Sequence, residues 1–491
     1  MSRTPERGWE RPRIETGTAG GCLEFQRVWN PSRTTTRRSV LKVGALTAGG
    51  LTLGLPDLVR LRCNARADVT DGRTPRAKSC ILIFMWGGPS HLDTWDPKPD
   101  APAEVRGEFK PIATRTPGLW ISEHFPQLAE RTDRLAVIRS MSHDDPAHLS
   151  PAHRVFTGHL APVVKSDRDG PSARDWPCVG AMLGKLLPPR DALPASVTMP
   201  LPASVTMPWI VSHPAAPGGR APGQNGGWLG RAYDPLYVVG DPNAEGFRVP
   251  GLEPPAEVGP ERLTRRKSLL EQLDGSGGEG AVAAWDRYQD TALQALTSTK
   301  VQEAFRIDRE HPKTRERYGR HIHGQCLLLA RRLVEAGVPL VTVNWHDDRS
   351  NFWDTHGDNF NQLKTRLMPP ADQGFAALLD DLEARGMLEE TLVVWTAEFG
   401  RHPRITAANA GREHWPWCYS SVLAGAGVRG GVVHGASDRL GAYPTTDPVT
   451  PEDIVATIYE RLGIDPNMEV RDPLNRPSPL TRGTPLRAIL S

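Results

Sequence analysis

Apolar residues along this chain come mostly in short unbroken runs, and each run ends in glycine or in a knot of polar residues. The clearest is ILIFMWGGPSHLDTWD at residues 81–96. Its charge-free first half reads as a buried parallel strand. Its second half, with Gly87, Gly88, Ser90, His91, Asp93 and Asp96, reads as a turn carrying potential ligands. The same pattern recurs at 135–140, 339–345, 391–396 and 419–423. Between these runs the spacing turns helical. Helices are predicted over 125–134, through Val155 and Phe156 to Gly158, over 179–187, from Cys326 to a stop at Gly337, over 375–382, and over 454–462 behind Pro451, Glu452 and Asp453. Strand, ligand-bearing loop and helix repeat in that order. The repetition predicts an α/β fold with a mostly parallel central sheet flanked by helices.

Three stretches fit the pattern less simply. Residues 97–125 hold many prolines without a period and read as a long surface connection. The octapeptide LPASVTMP occurs twice in tandem, at 193–200 and 201–208. Two copies are too few for a solenoid. One copy is expected to feed a strand through Trp209, Ile210 and Val211. Residues 260–336 read as mostly helical, with Leu293, Leu296, Val301 and Ala304 roughly on one face.

The N-terminus departs from all of this. Residues 1–36 are polar, basic and rich in Pro, Thr and Gly, a disorder-prone composition. Arg37 and Arg38 then precede a mildly apolar run over 43–55 and a small-x-small site at Ala65-Arg66-Ala67. Residues 37–67 thus resemble a twin-arginine signal peptide. The expectation is export by the twin-arginine machinery to the periplasm or beyond, with a mature chain from near Asp68. A short buried helix behind a basic tail is the plainer alternative. The run is too short for a stable transmembrane anchor. The domain itself is expected over 78–491.

Composition narrows the function classes. Over 491 residues the net charge is +2, which implies no nucleic-acid partner. Six cysteines without a CxxC pair support neither a disulfide framework nor a zinc ribbon.

The chemistry gathers at the predicted strand ends. His91 stands with Asp93, His143 and His148 beside Asp144, Asp354 with His356, and Glu398 near His414. In open α/β sheets ligands bind beyond the carboxyl ends of the strands. Mixed nitrogen and oxygen donors suit zinc, manganese or iron(II) better than calcium. The candidate ligands are His91, Asp93, His148, Asp354, His356, Glu398 and His414. The expected cofactor is a divalent metal, zinc first, with manganese or calcium as alternatives. Arg401 or Arg412 can hold an anionic ester group. Each candidate has a plainer role: Asp93 can cap a turn, His91 can hydrogen-bond backbone, and Arg401 alone can satisfy Glu398.

GGPSHLDTWDPKP, IRSMSH, VNWHDDRSNFWDTHGDNF, TLVVWTAEFGR and GREHWP together resemble the bacterial exported family called domain of unknown function 1501. The resemblance covers roughly residues 80–485. It implies a fold like that of the alkaline phosphatase and sulfatase superfamily, whose first strand ends in a metal-binding aspartate, matched by Asp93. The superfamily nucleophile lies shortly before a Leu-Thr-Gly-like ending, matched by Phe156-Thr157-Gly158, which makes Ser150 the candidate. Asp354, His356 and His414 resemble its remaining ligands. The superfamily's Ser-Asp-His-Gly is here Thr396-Ala397-Glu398-Phe399-Gly400, so Phe399 replaces a histidine. The resemblance implies an exported metal-dependent hydrolase of phosphate or sulfate esters, acting on a small-molecule or polysaccharide ester. The alternative is a non-catalytic relative that binds an extracellular glycan or a protein partner.

Overall fold

The computed structural model describes residues 46–48, 51–53, 76–187, 202–213, 219–249, 265, 299–346 and 352–491. The chain divides into two units, Met1–Asp68 and Val69–Ser491. In the first, Leu46–Ala48 pairs antiparallel with Leu51–Leu53. This hairpin falls inside the expected signal segment. The rest of that segment, and residues 1–36, lie outside the described residues.

The second unit is built on one sheet. Its strands are β1 (Ser79–Phe84), β2 (Leu135–Met141), β3 (Ser204–Met207), β4 (Leu236–Tyr237), β5 (Leu340–Asn344), β6 (Thr391–Thr396), β7 (Tyr419–Ala424) and β8 (Val432–His434). Their order across the sheet is β8-β2-β7-β6-β1-β5-β3-β4. Every strand runs the same way except β7, which is antiparallel to both β6 and β2. The mostly parallel sheet expected from the sequence is therefore present.

β1 is central, and all six of its residues are buried. That is why its run carries no polar alternation: both faces are covered. Ile81 and Ile83 share one core with Val341, Val343, Val393 and Trp395. Helices α3 (Ile322–Ala336) and α4 (Met368–Ala384) close that side. Cys80, Leu82 and Phe84 share the other core with Leu392 and Val394. It is closed by α1 (Leu149–Thr157), α2 (Val179–Leu186) and α5 (Pro451–Arg461). Local signals set the helix ends. Gly158 and Gly337 adopt left-handed angles at the ends of α1 and α3, and a Thr450–Asp453 capping box opens α5.

Two expectations are corrected. The strand expected at 209–211 lies instead within the second octapeptide copy, as β3. Val205 and Met207 enter the core there, and Pro208, which has no N–H to donate, ends the ladder before Trp209. The connection over 97–125 is not merely superficial. It holds a helix at Ala103–Arg106 and a ribbon of Pro111–Ala113 with Trp120–Ser122, and buries Val105, Leu119 and Ile121. Of the helical expectation at 260–336, the part with Leu293 and Leu296 lies outside the described residues.

Candidate metal centre

The carboxyl ends of β1, β2, β5 and β6 open toward one place, as the parallel topology requires. From β2 the chain reaches His148, the residue that opens α1. From β5 it reaches Asp354 and His356. From β6 it reaches Glu398 and then a two-residue ribbon, Gly400–Arg401 against His414–Trp415, which carries His414 in. His148, Asp354 and His414 each offer a ligand atom, all within 4.8 Å of one another.

The hydrogen bonds behind these rings fix what faces the centre. His148 Nδ1 donates to Glu398 Oε1 at 2.9 Å. His414 Nδ1 donates to Pro146 O at 2.8 Å, and His356 Nδ1 donates to Glu413 Oε2 at 2.6 Å. Each partner only accepts, so each Nδ1 carries the proton, and in the neutral ring each Nε2 is a lone pair. All three Nε2 atoms converge on Asp354. His148 Nε2 lies 3.3 Å from Oδ2, and those of His356 and His414 lie 3.0 Å from Oδ1. The His356 and His414 Nε2 atoms are 2.9 Å apart. Lone pairs do not gather in this way around a carboxylate unless a cation or extra protons join them.

The protonation tendencies are uneven. Burial pulls the His148 pKa down, but Asp354 and Glu398 on its two nitrogens more than reverse this and hold it at about 9. Burial pushes His414 down to about 4. Its Nε2 is therefore a lone pair at neutral pH, aimed at a carboxylate oxygen. Burial opposes ionisation of Asp354, yet Arg401 and the three imidazoles hold its carboxyl far below the usual range. Burial raises Glu398, whose Oε1 accepts from Gly87 N–H at 2.7 Å while Oε2 is buried without a partner among the described residues. Imidazole nitrogens with one carboxylate, backed by further carboxylates on the His148 and His356 rings, fit a tetrahedral zinc-type site better than calcium.

Of the seven candidate ligands, five are thus brought together: His148, Asp354, His356, Glu398 and His414. His148, Asp354 and His414 form the close group, His356 joins it through Asp354 and His414, and Glu398 stands behind His148. His91 and Asp93 are not brought to it. His91 Nε2 hydrogen-bonds Gly441 O at 2.7 Å. Both oxygens of Asp93 accept from Arg412, at 2.7 and 3.1 Å, and Asn359 adds a third bond at 3.0 Å. A carboxylate so occupied, in a wholly buried pair, is held by Arg412 and Asn359 and lies outside the close ligand group.

The anion-holding and nucleophile roles also change. The Arg412 guanidinium is further committed to Pro403 O and to Val105 O. Arg401 bonds Gly87 O, Gly88 O, Arg412 O and Asp354, so it braces a ligand to the β1 turn rather than facing solvent. Ser150 Oγ accepts from Ser166 N–H at 3.1 Å and lines a separate small cavity with Asp169 and Arg174. Neither arginine offers an open clamp, and the serine is tied into the loop after α1.

Sequence reasoning passed over Glu413 and His213 here and read Phe399 as a lost ligand. Phe399 packs on His148 and His414, with ring centroids 4.9 and 4.4 Å apart, and so shields the rings instead of replacing a ligand. Glu413 orients His356; its place beside His414 was the available signal. His213 lies with its ring centroid 5.5 Å from His148, and nothing near it in sequence marks it. The β1 turn is closely fitted. A Cβ on Gly87, which has φ +101°, would lie 2.4 Å from Asp354 N, and one on Gly88 would meet the Phe399 ring at 2.5 Å.

A family model described as "Protein of unknown function (DUF1501)" matches residues 77–490. No curated protein matches the chain. Solved structures with some likeness include the PsFucS1 sulfatase from Pseudoalteromonas sp., at 13% identity over 86% of this chain and 73% of that one, with a TM-score of 0.37. The alkaline phosphatase from the Antarctic bacterium TAB5 shows 12% identity over 79% of this chain and 98% of that one, with a TM-score of 0.36. The C-terminal periplasmic domain of EcEptC from Escherichia coli, in complex with zinc, shows 9% identity over 86% and 97%, with a TM-score of 0.32.

Proposed function

This chain belongs to the family described as protein of unknown function (DUF1501), and on that premise we propose that it is a metal-dependent hydrolase of phosphate or sulfate esters. The observation that carries the reading is the grouping of one ligand atom each from His148, Asp354 and His414 within 4.8 Å of one another, with His356 Nε2 3.0 Å from the same Asp354. His148, His356, His414 and Asp354 would hold the ion. A divalent ion there would supply Lewis acidity, polarising an ester oxygen and making water a better nucleophile near neutral pH. The chain's own residues do the rest. Glu398, Pro146 O and Glu413 hold the three rings in their tautomers. Arg401 holds Asp354 against the β1 turn. Phe399 and Trp86 pack on His148 and keep that flank dry. The substrate would enter past His356 and Glu413, whose side chains are 40% and 54% exposed. With Ser150 tied to Ser166, water is the attacking group in this reading.

One observation favours the non-catalytic alternative, a relative that binds an extracellular glycan or protein. Both arginines nearest the centre are committed to protein acceptors. In either case Arg37 and Arg38 support export by the twin-arginine route, and changing both to lysine should leave the protein in the cytoplasm. Among the described residues no helix is long and apolar enough to cross a membrane.

The deciding experiment is elemental mass spectrometry on the purified protein beside Asp354→Ala and His414→Ala, followed by aryl phosphate and aryl sulfate esters with the metal loaded. About one transition-metal ion per chain, lost in both variants, is expected together with ester cleavage. Metal without cleavage of any ester would favour the binding alternative. No metal after reconstitution would remove the mechanism.

A further inference from the structure

The metal centre is bordered by an anion that belongs to the chain itself. Asp167 Oδ1 accepts from His148 N–H at 2.6 Å and from Leu149 N–H at 3.0 Å. These amides open α1, a nine-residue helix. Amides at such a helix start are the usual seat for a substrate oxyanion. Here the seat adjoins the metal centre, because the ring of the same His148 faces Asp354. The loop that brings Asp167 is pinned on either side: Lys165 N–H donates to Asp145 Oδ2 at 2.9 Å, and Ser166 N–H donates to Ser150 Oγ at 3.1 Å. Lys165 Nζ is paired with Asp144 at 2.8 Å, so it adds no open positive charge. His213 stands on the same flank, with its ring centroid 5.5 Å from that of His148.

Asp354 and Glu398 are matched by Arg401 and by His148 between them, so the open charges bordering the centre are those of Asp167 and Glu413. The cationic side chains, Arg401 and Arg412, already bond protein acceptors. A doubly charged phosphate monoester would meet carboxylates and find the helix amides filled. A singly charged group, as in a sulfate monoester or a phosphate diester, would suffer about half that repulsion.

We propose that Asp167 is a specificity-determining residue that turns this site away from doubly charged esters and toward singly charged ones. The inference rests on the hydrolase reading and narrows its substrate class.

The test uses two isosteres that no hydrolase of this type cleaves, phenylphosphonate and benzenesulfonate. In mildly alkaline buffer the first is doubly charged and the second singly. Calorimetric titration is run on the whole protein as isolated and again after zinc loading, beside Asp167→Asn, which keeps an acceptor oxygen for the two amides. The wild type should bind benzenesulfonate about tenfold more tightly than phenylphosphonate, and the variant should erase or invert that ratio. A purely structural role for Asp167 would weaken both ligands alike and leave the ratio unchanged, which would overturn the proposal. Preference of the wild type for phenylphosphonate, or binding of neither ligand, would also overturn it. Metal retention and ester cleavage are measured separately, so the hydrolase reading stands or falls on its own result.

Discussion

Replacing Arg412 with methionine separates a structural arginine from one that holds substrate. Arg412 and Asp93 are both fully buried and paired through two hydrogen bonds, at 2.7 and 3.1 Å. Removing the guanidinium leaves a buried carboxylate with only the Asn359 amide at 3.0 Å for company. Breaking such a pair from one side costs about 3–5 kcal/mol. The carbonyl of Val105 also loses its 2.7 Å donor, roughly another 1 kcal/mol if no other donor replaces it. A total near 5 kcal/mol is a third or more of the stability of an ordinary domain, about 5–15 kcal/mol. Urea unfolding followed by tryptophan fluorescence measures it. The companion is the double change Arg412→Met with Asp93→Leu, which removes both charges. The double variant should be more stable than the sum of the single losses by at least about 2 kcal/mol, since neither charge is then stranded. If Arg412→Met falls within about 1 kcal/mol of the wild type while KM for an ester rises, the pair is not structural and Arg412 belongs with the substrate.

Other expectations follow from the same geometry. Glu398→Gln keeps the packing but removes the charge behind His148, and should weaken metal binding roughly 10- to 100-fold in a competition titration with a chelator. Gly87→Ala should lower both stability and metal content, because its Cβ has no space beside the Asp354 backbone; retention of full metal occupancy would argue against so tight a turn. Acid should destabilise the fold through buried imidazoles. Burial pushes His143 and His159 down to about 4, so the unfolded chain binds protons that the folded one resists. That stability is complete above the ordinary histidine pKa of about 6.5 and is lost as pH falls toward about 4, up to roughly 3 kcal/mol per ring. Urea midpoints on either side of that window read the loss. His159→Gln should flatten the dependence, and an unchanged slope would contradict the assignment.

Much of the fold was legible because its central strands are buried on both faces. Residues 81–84, 339–345 and 391–396 announce themselves by unbroken apolar character, and Gly158 and Gly337 mark helix ends by their freedom at positive φ. The direction of β7 was not legible, since a buried strand reads alike in either orientation. At the site, sequence placed polar groups at strand ends but gave no measure of which would turn inward. Asp93 and Asp354 look alike in that respect. What separates them is Arg412, hundreds of residues further on, which takes both oxygens of Asp93. Phe399 looked like a lost ligand, whereas its ring packs on two of the imidazoles that remain.

The tandem octapeptide has a consequence for how the chain finds its register. Residues 196–199 spell the same SVTM as β3, eight positions earlier. An even offset presents the same side chains to the same face. By its own side chains the slot beside β5 cannot tell one copy from the other. Two degenerate solutions would be equally populated unless something outside the repeat chooses between them. The chooser is visible in the structure: four positions past Met207, Val211 is fully buried in the second core, whereas four positions past Met199 the chain has only Ala203. One flanking side chain thus carries information that eight duplicated residues cannot.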